Sequence, residues 1–218
     1  MPEQDFVAFN KIARLSRPAI ITEKLDGTNA QVAIDLASDA QKAGHLEGPY
    51  IHTVGDYVIR AGSRNRWITP QDDNYGFARW VLNHAEELVT LGVGRHFGEW
   101  WGQGIQRNYG LSEKRFSLFN VSRWCLHGQT PKLTATADPR VVKTQEVLPP
   151  CVGLVPVLFQ GEFNTTVAAD VVEILRHNGS IAAPGFTRPE GIVVFHSANG
   201  ALFKKTLEND QSPKSAVS

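Results

Sequence analysis

One stretch near the N-terminus constrains the fold more than any other. Pro18-Ala19-Ile20-Ile21-Thr22 is apolar, β-branched and opened by a proline, so it reads as a β-strand. Asn29-Ala30-Gln31-Val32-Ala33-Ile34 alternates polar and apolar residues, the pattern of a strand with one buried face. Between them lies Glu23-Lys24-Leu25-Asp26-Gly27-Thr28. Asp-Gly is a tight-turn dipeptide, because Gly accepts positive φ and Asp bonds its own backbone. The expectation is a β-hairpin with Lys24 at its mouth. Taken alone, Lys-x-Asp-Gly describes no more than a charged hairpin tip, and the rest of the chain must decide whether Lys24 does chemistry.

The remaining segments point to an α+β domain of antiparallel β-sheets flanked by helices. Two further hairpins are expected. In one, Gly55-Asp56 joins 50–54 to 57–60; in the other, Ser197-Ala198-Asn199-Gly200 joins Glu190–Phe195 to Ala201–Thr206. His96 to Gly102, Arg115 to Val121 and Cys151 to Phe159 read as single strands, and Ala37 to Pro49 and Thr130 to Thr144 as loops. Phe77, Val81, Ala85, Leu88 and Val89 recur at helical spacing, predicting one helix from Gly76 to Leu91 that Gly92 and Gly94 end. A second helix is expected from Thr165 to His177, entered through Asn164 and closed by Asn178-Gly179. Strands outnumber helices and do not alternate with them, which argues against a wound parallel sheet.

Composition excludes several classes. Basic and acidic residues balance at 22 each, so a nucleic-acid partner must meet a local basic patch. No apolar run is long enough to span a membrane, and Met1-Pro2-Glu3-Gln4-Asp5 lacks the order of a signal peptide. Cys125 and Cys151 do not form a Cys-x-x-Cys pair, and two reduced thiols in a cytoplasmic protein are expected. The phosphate-binding Gly-x-x-x-x-Gly-Lys-Ser/Thr loop, His-Glu-x-x-His and Gly-x-Ser-x-Gly are all missing.

Six short motifs change the reading of Lys24. In order they are Lys24-Leu25-Asp26-Gly27-Thr28-Asn29, Ser63-Arg64-Asn65-Arg66, Phe97-Gly98-Glu99-Trp100, Phe116-Ser117-Leu118-Phe119-Asn120, Glu190-Gly191-Ile192-Val193-Val194 and Phe203-Lys204-Lys205. Their order and context resemble the covalent nucleotidyltransferases: ATP-dependent RNA and DNA ligases and mRNA capping enzymes. The Thr28-Asn29 ending of the first motif is most similar to the RNA ligase branch. The resemblance runs from about Glu23 to Thr206, and implies a nucleotidyltransferase (adenylation) domain over residues 1–207 followed by a polar tail over 208–218.

The chemistry suits those residues. A lysine amine attacking the α-phosphate of ATP makes a labile phosphoramidate. At ordinary lysine basicity only roughly one amine in two thousand is neutral at pH 7. Nearby cations and partial burial would favour that neutral form. By resemblance, Lys24 is the nucleophile, Glu99 accepts from the ribose hydroxyls, and Phe119 stacks on adenine with Phe116 as its alternative. Glu23 would lie near the adenine amino group. Glu190 opens a buried strand and would hold Mg2+ or Mn2+. Arg64, Lys204 and Lys205 would meet phosphate, and Asn29 and Asn65 would orient phosphate or the nucleic-acid end.

Two departures matter. Many relatives carry the last two lysines one residue apart, whereas here Thr206 takes the second place and Lys205 should face away from Lys204. Which of the two meets phosphate stays open. Asn120 stands where an Asp is common. The implied activity is ATP-dependent sealing of RNA 5′-phosphate and 3′-hydroxyl ends, in a nicked duplex, an RNA/DNA hybrid or single strands. Many relatives continue into a second domain; the expectation here is either a small footprint on the nucleic acid or an accessory protein or domain in trans that supplies the grip. The alternatives are a DNA ligase, a GTP-using capping-like transferase, and a strand-end-binding module without turnover.

Overall fold

The computed structural model describes residues 8–42, 52–121, 148–198, 200–208 and 210. Two sheets carry the site. The smaller has four strands in the order β11-β10-β1-β9: β1 (Pro18–Lys24), β9 (Val157–Glu162), β10 (Gly191–His196) and β11 (Ala201–Thr206). The larger has seven: β2 (Thr28–Leu36), β3 (His52–Val54), β4 (Tyr57–Ser63), β5 (Trp67–Ile68), β6 (Gly94–Gly102), β7 (Lys114–Leu118) and β8 (Val152–Leu154). Its path runs β3-β4-β2-β6-β7-β8, with β5 added beside β4. Pairing is antiparallel in both sheets except between β7 and β8.

The expected hairpin at Lys24 does not form. β1 pairs with β9 and β10, while β2 pairs with β4 and β6, so the chain leaves one sheet at Lys24 and enters the other at Thr28. Gly27 is needed here for close approach. A Cβ on it would lie 2.4 Å from the Trp100 carbonyl oxygen and 2.7 Å from Trp101 Cβ. The hairpins β3–β4 and β10–β11 form as expected, although 50–51 and Asn199 fall outside the described residues.

Other elements divide where local chemistry intervenes. The first long helix breaks into α2 (Phe77–Asn83), α3 (Ala85–Leu88) and a 3-10 turn over Val89–Leu91. At the break, His84 Nδ1 lies 2.9 Å from the Trp80 carbonyl, which the His84 backbone N–H also approaches at 3.1 Å. The strand expected over Cys151–Phe159 splits at Pro156. Val155 N–H donates to Leu118 O in the large sheet, and Pro156 O accepts from Glu23 N–H in the small one. A proline offers no N–H to continue a ladder, so the crossing between sheets falls there. Lys114–Leu118 is shorter than expected, and 37–42, read as loop, is a short helix, α1 (Ala37–Lys42). α4 (Val167–Asn178) starts where Asn164 Oδ1 accepts from Thr166 N–H and Val167 N–H, and ends at Gly179 with φ 79°. Cys151 is a free thiol. Cys125, the 130–144 stretch and most of the polar tail lie outside the described residues.

Strand alternation decides which way each side chain points. On the large sheet, Ala30, Val32, Ile34, Ile59, Trp100 and Phe116 face α2 and α3 in the main core. On the small sheet, Ala19, Ile21, Ile192 and Val194 pack under Val171, Val172 and Leu175 of α4. The opposite faces of both sheets border the space described next. Among the described residues no helix is long and apolar enough to cross a membrane.

Candidate active site

The crossing from β1 to β2 opens a cavity of about 440 Å³, lined from both sheets. Lys24 ends β1 on the face that Ile20 and Thr22 share, and its Nζ lies 2.6 Å from Glu190 Oε2. Glu190 is 2% exposed, at the entrance to β10. Gly191 lets these pieces meet: its φ is 155°, and a Cβ there would lie 2.2 Å from the Lys205 carbonyl oxygen. From the large sheet, Asn29 and Glu99 stand opposite each other in the β2–β6 register and both line the cavity. Arg64, just past β4, lines it too, as does Phe119 beyond β7.

Glu99 is a strongly perturbed carboxyl group of the site. Burial at the cavity wall pushes its carboxyl up to about 7, against the pull of the Lys24 charge and of Gly27 N–H, which donates to Oε1 at 3.0 Å. The negative charges of Glu190 and Asp26 push the same way as burial. Three carboxylates and one amine therefore share a single electrostatic environment.

The two lysines of β11 separate cleanly. Lys204 stands opposite Val193, on the cavity side of the small sheet, and lines the cavity. Lys205 stands opposite Ile192, a residue of the α4-side core, and its Nζ lies 3.8 Å from Asp210 Oδ2. The aromatic pair separates as well. Phe116 is 1% exposed in the main core against Phe77, with ring centroids 5.1 Å apart, so it is not the stacking alternative. Phe119 packs against the cluster of Leu25, Trp101 and Val155 at the cavity.

Glu23 borders the cavity, but alternation along β1 turns its carboxylate toward the turn after α4. There it accepts from Ser180 Oγ at 2.6 Å, Ile181 N–H at 2.9 Å and Ala182 N–H at 3.0 Å. Burial nevertheless raises its carboxyl above the usual range, the three donors offsetting only part of that cost. Glu23 therefore anchors β1, the strand that ends in Lys24, to the end of α4. Asn65 is exposed and is not among the residues lining the cavity.

Two residues of the site carry no sequence signal. Tyr109 OH accepts from Asp26 N–H at 2.8 Å, and Arg107 Nε donates to Asp26 Oδ2 at 3.0 Å. Arg107 Nη1 also donates to Arg188 O at 3.0 Å, tying the Lys24 crossing to the segment before Glu190. Burial raises the Tyr109 phenol well above its ordinary value, so it stays a neutral hydroxyl. Gln106, Asn108 and Tyr109 all have positive φ, a conformation that a sequence pattern does not announce.

Among the described residues no three His, Cys, Asp or Glu side chains gather into an all-protein metal cage. Glu190 with Glu99 nearby is instead the sparse carboxylate set that suits a hard cation held largely by phosphates and water.

The protein-family model described as RNA ligase matches residues 17–206. The chain belongs to the RNA ligase family. The match takes in every motif residue of the site, from Glu23 to Lys205. No curated protein sequence matches the chain significantly. Among solved structures, this RNA ligase family member resembles Naegleria gruberi RNA ligase. An arginine-to-alanine variant with ATP and Mn aligns at TM-score 0.53 and 22% identity, over 89% of this chain and 51% of that one. A lysine-to-alanine variant with ATP and Mn gives 0.52 and 22%, over 88% and 50%. A glutamate-to-alanine variant with AMP and Mn gives 0.51 and 22%, over 87% and 49%. At that identity the likeness establishes the fold, and this family member spans about half the length of those chains.

Proposed function

We propose that the protein is an ATP-dependent RNA ligase acting through Lys24. The observation that carries the reading is the meeting of Lys24 Nζ with Glu190 at 2.6 Å, in a cavity that Glu99, Arg64, Phe119 and Lys204 also border. Family membership supports it, as does the likeness to a ligase solved with ATP and Mn.

In this reading Phe119 and the apolar wall of Val155 and Val193 receive the base, and Glu99 takes the ribose hydroxyls. Arg64 and Lys204 neutralise phosphate oxygens. Nζ cannot attack while its lone pair is tied up in an N–H bond directed at Glu190. The proton must pass to an acceptor, and Glu190 Oε2 is within hydrogen-bond reach. Nζ then forms a bond to the α-phosphorus, the bond from that phosphorus to the bridging oxygen breaks, and pyrophosphate leaves. The AMP group next moves to an RNA 5′-phosphate; a 3′-hydroxyl attacks that phosphate, and AMP departs. Mg2+ or Mn2+, held by Glu190, would supply positive charge to the phosphate oxygens. Arg107 and Tyr109 keep the crossing in place through Asp26. A partner in trans would add grip on the nucleic acid.

Incubation with α-labelled ATP and Mg2+ tests the reading. Label should survive denaturation in the wild type and disappear in Lys24→Ala. Excess unlabelled ATP should compete where GTP does not, and a panel of RNA, DNA and hybrid nicks should show sealing with RNA ends. Absence of label from the wild type, or equal labelling of Lys24→Ala, would refute it.

A further inference from the structure

Thr22 lines the cavity two residues before Lys24, on the same face of β1. Register sets its neighbours. One row of the small sheet runs Val157, Thr22, Val193 and Lys204. The β1–β9 register shifts between Ile21 and Thr22, so that Ile21 stands opposite Phe159, Thr22 stands opposite Val157, and Leu158 is passed over. Irregularities of this kind re-aim side chains beside binding sites. Thr22 thus places one hydroxyl between two valines.

That hydroxyl has no hydrogen-bond partner among the described residues, although Thr22 is only 4% exposed. A nearly buried hydroxyl without a partner is unfavourable. Valine is close to threonine in shape, suits a strand equally well and would continue this apolar row without that cost. The polar groups nearby do not answer the hydroxyl. Glu23 turns its carboxylate to the other side of β1, where Ser180, Ile181 and Ala182 donate to it. Lys24 is paired with Glu190, and Glu99 stands on the large sheet, where it accepts from Gly27 N–H.

In the ligase reading the base meets Phe119, Val155 and Val193, and Val193 is the cross-strand neighbour of Thr22. Apolar contact holds a flat heterocycle but does not tell one base from another; a polar partner must read its edge. The 6-amino group of adenine lies on the ring remote from the ribose. Glu99 takes the ribose from the large sheet, and Thr22 stands on the small sheet, about 7 Å along β1 from Lys24. We infer that the Thr22 hydroxyl accepts a hydrogen bond from the 6-amino group of the bound adenine. The inference rests on the ligase reading for the identity of the nucleotide, and adds a base-reading residue outside the six motifs.

The test compares ATP with purine riboside triphosphate, in which hydrogen replaces the 6-amino group. Wild type, Thr22→Val and Thr22→Ser are each incubated with either nucleotide and Mg2+, and adduct formation is followed by intact-mass spectrometry. The reading is the nucleotide concentration that gives half the maximal rate. In the wild type that concentration should be about three- to tenfold higher for the analogue than for ATP, the scale of one hydrogen bond between neutral groups. Thr22→Val should raise it by the same factor for ATP and leave it unchanged for the analogue, so that the two nucleotides become alike. The change should fall on half-saturation rather than on the maximal rate, as loss of ground-state binding does. Thr22→Ser keeps the oxygen and should keep most of the preference for ATP. Equal weakening toward both nucleotides in Thr22→Val would make Thr22 a packing residue and overturn the inference. An unchanged requirement for ATP would overturn it too, leaving the hydroxyl to water. A wild type that forms no adduct with either nucleotide would count against the ligase reading alone; calorimetric binding of both nucleotides to the same three proteins then decides the Thr22 assignment, on the same expected ratios.

Discussion

The two sheets divide the site's labour unequally. The large sheet presents Asn29 and Glu99 from strands, and Phe119 just beyond one, backed by a wide core in which the rings of Phe77, Trp80, Trp100 and Phe116 pack at centroid distances of 5.1 to 5.6 Å. The small sheet presents Lys24, Glu190 and Lys204 and is backed chiefly by α4. Its edge strand β11 is exposed over most of its length, with Leu202 and Phe203 61% and 57% exposed. Groups assigned to hold a nucleoside still thus stand on the heavily packed side. Of the groups proposed for phosphoryl chemistry, Lys24, Glu190 and Lys204 stand on the lightly packed one, and only Arg64 comes from the large sheet. Low local packing lowers the cost of local rearrangement, and here it falls where the proposed reaction would need it.

That contrast can be broken first by stability. Trp100→Ala should cost about 3–5 kcal/mol, as truncation of a fully buried aromatic does. Val171→Ala under the small sheet should cost clearly less, and urea denaturation of both compares them directly. Equal losses would erase the distinction between the sheets.

Activity sharpens it next. Glu190→Ala removes the acceptor at Lys24 Nζ and the carboxylate assigned to the metal ion. Label uptake should fall at least about a hundredfold, the scale of losing an electrostatic or acid–base group. The β11 lysines give a smaller and more selective effect. Lys204→Ala should lower uptake about tenfold or more, through a group that lines the cavity. Lys205→Ala loses only an exposed pair with Asp210 and should change uptake less than about twofold. A reversed order would mean that the wrong face of β11 has been assigned.

Glu99 provides the smallest test, through pH. Its folded-state carboxyl titrates at about 7, above the ordinary 4.5, so between those values the native state holds more protons than the unfolded one. Its contribution to stability is therefore full below about 4.5 and is lost as pH rises through about 7. Glu99→Gln lacks that titration. Relative to wild type, the melting temperature of the variant should rise as pH goes from 5 to 8. A constant difference across that window would mean that Glu99 is not held in its acid form.

Much of this site was legible from residue order, because each motif sits on a strand or within two or three residues of a strand end. Lys24, Asn29, Arg64, Glu99, Phe119 and Lys204 all reach one cavity, and Glu190 meets Lys24 at its wall. The failures have a common cause. Asp26-Gly27 looks the same whether its flanking strands pair or part, and only the Trp100 backbone pressing on Gly27 distinguishes the cases. The anchoring partners of Glu23 could not be read in the sequence, because the donors Ser180, Ile181 and Ala182 are more than 150 positions away. Arg107 and Tyr109 act through a loop of left-handed residues whose geometry no periodicity encodes. Long-range contacts between irregular segments were invisible; strand-borne chemistry was not.

The central claim is a covalent one, so the most direct measurement locates the bond. After incubation with ATP and Mg2+, the protein is digested under conditions that spare phosphoramidates, and its peptides are sequenced by mass spectrometry. An AMP adduct is expected on Lys24, and none on Lys204 or Lys205. An adduct on another residue, or no adduct in a preparation that still seals RNA, would contradict the claim.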